Sequence, residues 1–161
     1  IISANEETLN MPVVGIILTA SIPMLMDTGG NAGSQASVTI IRGIALGEVG
    51  FRDIGKVIWK ELRVSVLLGL TLAVACFAKL MVVDRLWAVQ NGFTVALVIC
   101  LALLTTVILA KLIGCTMPLI AKKCRLDPAV VASPFITTIV DALSLSVYCL
   151  IAISLLSGLA V

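Results

Sequence analysis

Four apolar stretches long enough to cross a bilayer, 12–41, 64–83, 93–117 and 129–158, dominate this sequence. A helix rises about 1.5 Å per residue and a bilayer's hydrocarbon core is about 30 Å thick, so ~20 apolar residues reach across it. Inside lipid every backbone N–H and C=O must be bonded within the protein, which leaves helices and closed barrels as the choices. No period-two alternation of a transmembrane strand runs through the blocks, so helices are expected. The fold class is all-α, a polytopic transmembrane helix bundle. Composition agrees: 60% of the 161 residues are hydrophobic and 12% are charged, too few to clothe a water-soluble domain.

The connections differ sharply in charge. Arg42, Arg52, Lys56, Lys60 and Arg63 surround the first, and Lys122, Lys123 and Arg125 lie in the third. The second has Arg85 with Lys79 nearby, and the start has Glu6 and Glu7 with no base. By the positive-inside bias, loops 43–62 and 121–127 face the cytoplasm and the other connections lie outside a cell (inner) membrane. The chain would then enter its first block from the outer side, so one more upstream span, five per complete subunit, is expected. Glu6 and Glu7 interrupt the opening apolar residues, which argues against a signal peptide. Lys79 and Lys111, near the ends of their blocks, read as snorkelling interfacial anchors. Within loop 43–62, Val49, Ile54, Val57 and Ile58 alternate with charges as in an amphipathic interfacial helix, either a linker or a contact for a regulatory partner.

Several functions fall away. A net charge of +2 without a basic, aromatic-studded run does not suit nucleic acid. Cys76, Cys100, Cys115, Cys124 and Cys149 form no C-x-x-C pair, and with no histidine present a zinc or copper site is not expected. They read as packing residues. No Ser/His, Cys/His or paired-acid arrangement suggests an enzyme.

The polar residues inside the blocks are more telling. Asp141 lies 12 residues after Ala129, about 18 Å along a helix, near mid-bilayer. An ionised carboxylate there costs at least about 2.5–3.5 kcal/mol, so it is expected to face a cavity, an ion or a partner. Ser133, Thr137 and Asp141 share one stripe at i, i+4 and i+8, with Ser144 close behind. The hydroxyls could instead bond their own helix or a neighbour. In the first block, Asp27 precedes Gly29, Gly30, Asn31, Gly33, Ser34 and Gln35. Those glycines permit either an unwound backbone lining a watery cavity or a close approach of helices. Asp27 adds a second carboxylate or caps a following helix segment.

All these candidate ligands are oxygens, which suit hard cations, and Mg²⁺ keeps its waters and asks for one or two carboxylates. Each chain supplies one deep carboxylate. A twofold homodimer with the last block beside its axis would supply two, matching one divalent ion in a shared pore with Thr137 and Ser133 in rings toward the cytoplasm. Two other readings remain open: a coupled transporter in which Asp141 binds H⁺ or Na⁺ and a glycine-rich break holds the substrate, or a scaffold subunit whose partner neutralises Asp141.

The string Gly-Gly-Asn-Ala-Gly-Ser-Gln at 29–35, preceded by Pro23 and followed by Asp127-Pro128, Pro134 and Asp141, resembles the membrane domain of the MgtE family over nearly the whole chain. It is also similar to the magnesium carriers of solute carrier family 41. The resemblance implies a homodimeric Mg²⁺ channel of five-helix units in which residues 1–161 belong to the ion-conducting domain. It further implies a central hydrated ion held by Asp141 and surrounded by Gly30, Ser34 and Thr137. The oxygen ligands themselves suit other divalent cations besides Mg²⁺. A cytoplasmic regulatory region is expected elsewhere in such a protein. Ser34 and Ser133 stand where the family pattern has Asn, and Asp27 where it commonly has Gly.

Overall fold

The computed structural model describes residues 12–89 and 91–156, with side chains for all of these except 12, 13, 51 and 131–134. Glu6 and Glu7 lie outside the described residues. Four long helices account for most of the described residues: α1 Pro12–Ala45, α2 Ile54–Val82, α3 Gly92–Lys123 and α4 Pro128–Leu156, with short 3₁₀ turns at Phe51–Asp53 and Leu86–Ala88. Among the described residues there is no strand. Three helical segments among the described residues are long and apolar enough to cross a membrane, Ile54–Val82, Gly92–Lys123 and Phe135–Leu156. The protein is a bundle of membrane-type helices.

Local chemistry sets the helix ends. After α1, Gly47 adopts a left-handed φ of 73°, and the N–H groups of Glu48 and Val49 both donate to the Gly43 carbonyl, at 2.9 and 3.1 Å. That folds the chain back on the helix end, as helix-terminating glycines do. Before α4, Asp127 Oδ1 accepts the Ala129 N–H at 2.9 Å, and Pro128 occupies the first helical position, where its missing N–H costs nothing. Asp127-Pro128 is thus a helix-start signal.

The second helix begins at Ile54, so the part of the expected interfacial segment from 54 onward is its first turns, continuous with the apolar stretch. Amphipathic spacing alone does not distinguish a separate interfacial helix from the projecting end of a longer one.

Helix α3 is the hub. It packs against α1, α2 and α4, and α4 packs also against α1. One end of the bundle is closed by Val14, Leu80, Leu86, Val95 and Leu156. At the other end Ile40, Cys115 and Leu119 pack with Ile54 and Val57, which brings both basic connections to one end of the molecule. Tyr148 ties α4 to α1 by donating its hydroxyl to the Leu18 carbonyl at 2.9 Å, a buried bond spanning 130 residues of sequence.

Glycine sets how closely α1 and α3 approach. The Gly33 carbonyl lies where a side chain on Gly114 would have to go, and a Cβ on Gly33 would stand 3.0 Å from the Ala110 carbonyl oxygen. Only hydrogen fits at that crossing.

Candidate cation site

The stretch 27–35 lies wholly within α1, whose helix runs unbroken from Pro12 to Ala45. Of the two readings its glycines allow, close approach is the one observed. Backbone carbonyls here are engaged in the helix ladder, and Asp27, being mid-helix, caps nothing. Gly30 therefore contributes space. A Cβ built on it would lie 3.6 Å from Thr137 Cγ2 and 4.0 Å from Asp141 Oδ1, both on α4. The glycine-rich turn of α1 and the polar stripe of α4 thus meet along one seam.

Around that contact the candidates divide by exposure. Asp141, Thr137 and Ser34 are half-buried, while Asp27, Asn31 and Gln35 are exposed. Asp27 is about one helical turn from Gly30 along α1. The Ser133 side chain lies outside the described residues. Ser144 is buried and donates to its own helix at the Val140 carbonyl, 2.6 Å away, so it belongs to packing. Among the described residues no three His, Cys, Asp or Glu side chains converge. What the seam offers is one half-buried carboxylate, with the half-buried hydroxyl residues Thr137 and Ser34 on the same two helices and exposed polar residues of α1 beside them.

Residues 22–151 match the MgtE family, described as a divalent cation transporter. The chain belongs to the MgtE family. Among its relatives, the magnesium transporter MgtE of Bacillus subtilis (strain 168) is 32% identical over 148 residues, covering 92% of this chain and 31% of that protein. That of Thermus thermophilus is 34% identical over 138 residues, covering 85% and 29%, and that of Enterococcus faecalis 33% over 132 residues, covering 82% and 28%. The chain spans less than a third of the length of these MgtE relatives. The matched segment contains every candidate from Asp27 to Asp141.

Two features of this MgtE chain escaped the sequence pattern. Lys111 is not an interfacial anchor: it is buried, and its Nζ lies 3.3 Å from Oε2 of Glu61, itself buried. The cause is the early start of α2, which carries Glu61 into the bundle against α3. Lys79 does stay at the surface, 2.5 Å from Asp84. Second, Thr106 on α3 sits against Gly29, where a Cβ would lie 2.7 Å from its Cγ2, and among the described residues its buried hydroxyl has no hydrogen-bond partner. No signal distinguished Thr106 from other threonines in an apolar helix. Gly114 did carry one, as the glycine deepest within α3.

Proposed function

We propose that this chain forms the conducting membrane domain of a Mg²⁺ channel, admitting the ion to the cytoplasm through a pore shared by two copies. The observation that carries the reading is the half-buried Asp141 carboxylate on the open α1/α4 seam, beside Gly30 and Thr137. In a membrane, an ionised side chain on an outer face is costly unless something polar covers it. A second copy related by a twofold axis would do so, placing two Asp141 carboxylates about one axis. Their charges would balance one divalent ion, and Thr137, Ser34, Asn31 and Ser133 would accept hydrogen bonds from its water shell. Asp27, a turn away and exposed, would raise the local cation concentration at the approach. The magnesium transport named for the relatives supports the choice of ion. Both basic connections would be cytoplasmic, as their location at one end of the bundle allows.

In the alternative of coupled transport, Asp141 would bind H⁺ or Na⁺ and the substrate would sit at a glycine-rich break, whereas α1 is a continuous helix over 27–35. The test is Mg²⁺ flux into proteoliposomes followed with an internal indicator dye, without any H⁺ or Na⁺ gradient. Uptake by the unaltered protein and its loss in Asp141→Asn are expected. Uptake that requires an H⁺ or Na⁺ gradient overturns the channel, and full uptake by the variant overturns the site.

A further inference from the structure

At the end of the bundle where the basic connections lie, α1, the turn that follows it and the start of α2 border a half-open cavity of about 320 Å³. Ile40, Val49 and Val57 give it an apolar wall, while Arg42, Glu48, Lys60 and Glu61 also line it. The turn forming one side is fixed. Val49 packs directly on α1, where a Cβ on Gly43 would lie 2.7 Å from Val49 Cγ2, and Glu48 is anchored through its N–H on the Gly43 carbonyl.

The charges around this cavity are incompletely matched. Glu61 is neutralised by Lys111 behind it. Arg42, Lys60 and Glu48 are exposed, and among the described residues none of them is in an ion pair. Two free cations and one free carboxylate thus border an apolar recess. Its complement is a molecule with one anionic phosphate, one ammonium able to donate hydrogen bonds, and an apolar body.

We propose that this cavity binds the head group of an amine-bearing phospholipid, its phosphate on Arg42 and Lys60 and its ammonium on Glu48. The location fits, because helix ends in a bilayer lie at head-group depth. Trp59, 61% exposed beside Lys60, and Leu46, 60% exposed on the cavity's edge, supply an interfacial aromatic and an apolar path for an acyl chain. A phosphatidylglycerol head group would satisfy the cations and leave Glu48 facing hydroxyls alone. A choline head group presents a quaternary ammonium with no N–H to give. The ethanolamine head group matches all three side chains with charge-assisted bonds.

Native mass spectrometry of the purified protein, titrated with ethanolamine, choline and glycerol phospholipids of identical acyl chains, tests the proposal. Ethanolamine lipid should be retained several-fold better than the others. The paired change Arg42→Gln with Lys60→Gln should weaken that retention about ten-fold or more, the usual scale for charge-assisted bonds. Glu48→Gln should shift the preference toward phosphatidylglycerol, a gain of binding that a misfolded protein would not show. Millimolar inorganic phosphate should not displace the lipid. Preference for phosphatidylglycerol in the unaltered protein, unchanged retention in the Arg42/Lys60 variant, an unshifted preference in Glu48→Gln, or displacement by inorganic phosphate would each overturn it, the last by identifying a free-phosphate site.

Discussion

Gly30 on α1 stands opposite Asp141 on α4, so near that a Cβ on the glycine would lie 4.0 Å from Asp141 Oδ1. That is ordinary van der Waals contact, so alanine fits at position 30 without moving the backbone. It would nonetheless fill the space next to the carboxylate, where a hydrated cation is expected. Gly30→Ala should therefore fold normally and carry less Mg²⁺, and Gly30→Leu should carry almost none. Dye-reported flux in proteoliposomes reads both. Wild-type flux through Gly30→Leu would place the ion path elsewhere.

The neighbouring glycines should behave differently under the same substitution. A Cβ at Gly29 would stand 2.7 Å from Thr106 Cγ2 and 2.9 Å from Val140 Cγ1, and one at Gly114 would run into the Gly33 carbonyl. Side-chain neighbours can yield a little, whereas a backbone carbonyl inside a helix cannot. Alanine gains up to about 1 kcal/mol of helix propensity over glycine, while overpacking costs about 1–3 kcal/mol or more. Thermal melting in detergent should rank the variants with Gly30→Ala highest, Gly29→Ala lower and Gly114→Ala lowest. A Gly114→Ala protein as stable as the wild type would contradict the α1/α3 packing.

How far the seam could be read in advance depended on which residues carry an unavoidable cost. Asp141 was legible because a carboxylate deep in an apolar helix needs an explanation, and Thr137 because it shares the same face. The glycines of 27–35 were only half legible. A broken helix and a tightly packed one use the same residue, and the choice is made by what lies opposite, here Thr106, Ile136 and Val140. Glu61 and Lys111 could not be paired because they are 50 residues apart and Glu61 falls where an interfacial loop pattern ends. The shared end of the two basic connections, by contrast, follows from alternating helices and was legible throughout.

The buried Glu61–Lys111 pair yields a sharper energetic expectation. Removing one partner leaves an uncompensated buried charge, a loss of about 3–5 kcal/mol, whereas replacing both with apolar residues of similar size is often neutral or stabilising. Glu61→Gln and Lys111→Met should each lower the melting temperature clearly, and Glu61→Leu combined with Lys111→Met should recover most of the loss. Equal, additive losses in a double-mutant cycle would mean that the two charges do not interact.

The direction in which the bundle sits in the membrane can be tested with the chain's own thiols. Cys124, in the basic connection between α3 and α4, is exposed, whereas Cys76, Cys100 and Cys115 are buried. Cys149 is half-buried within α4, where lipid would shield it from a charged reagent. A membrane-impermeant maleimide should therefore report almost solely on Cys124. If both basic connections face the cytoplasm, intact cells should leave the protein unlabelled and inside-out vesicles should label it, with Cys124→Ser abolishing the signal. Labelling of Cys124 in intact cells would reverse the orientation. It would put the Arg42 and Lys60 cavity in the outer leaflet, and with it the lipid available to that site.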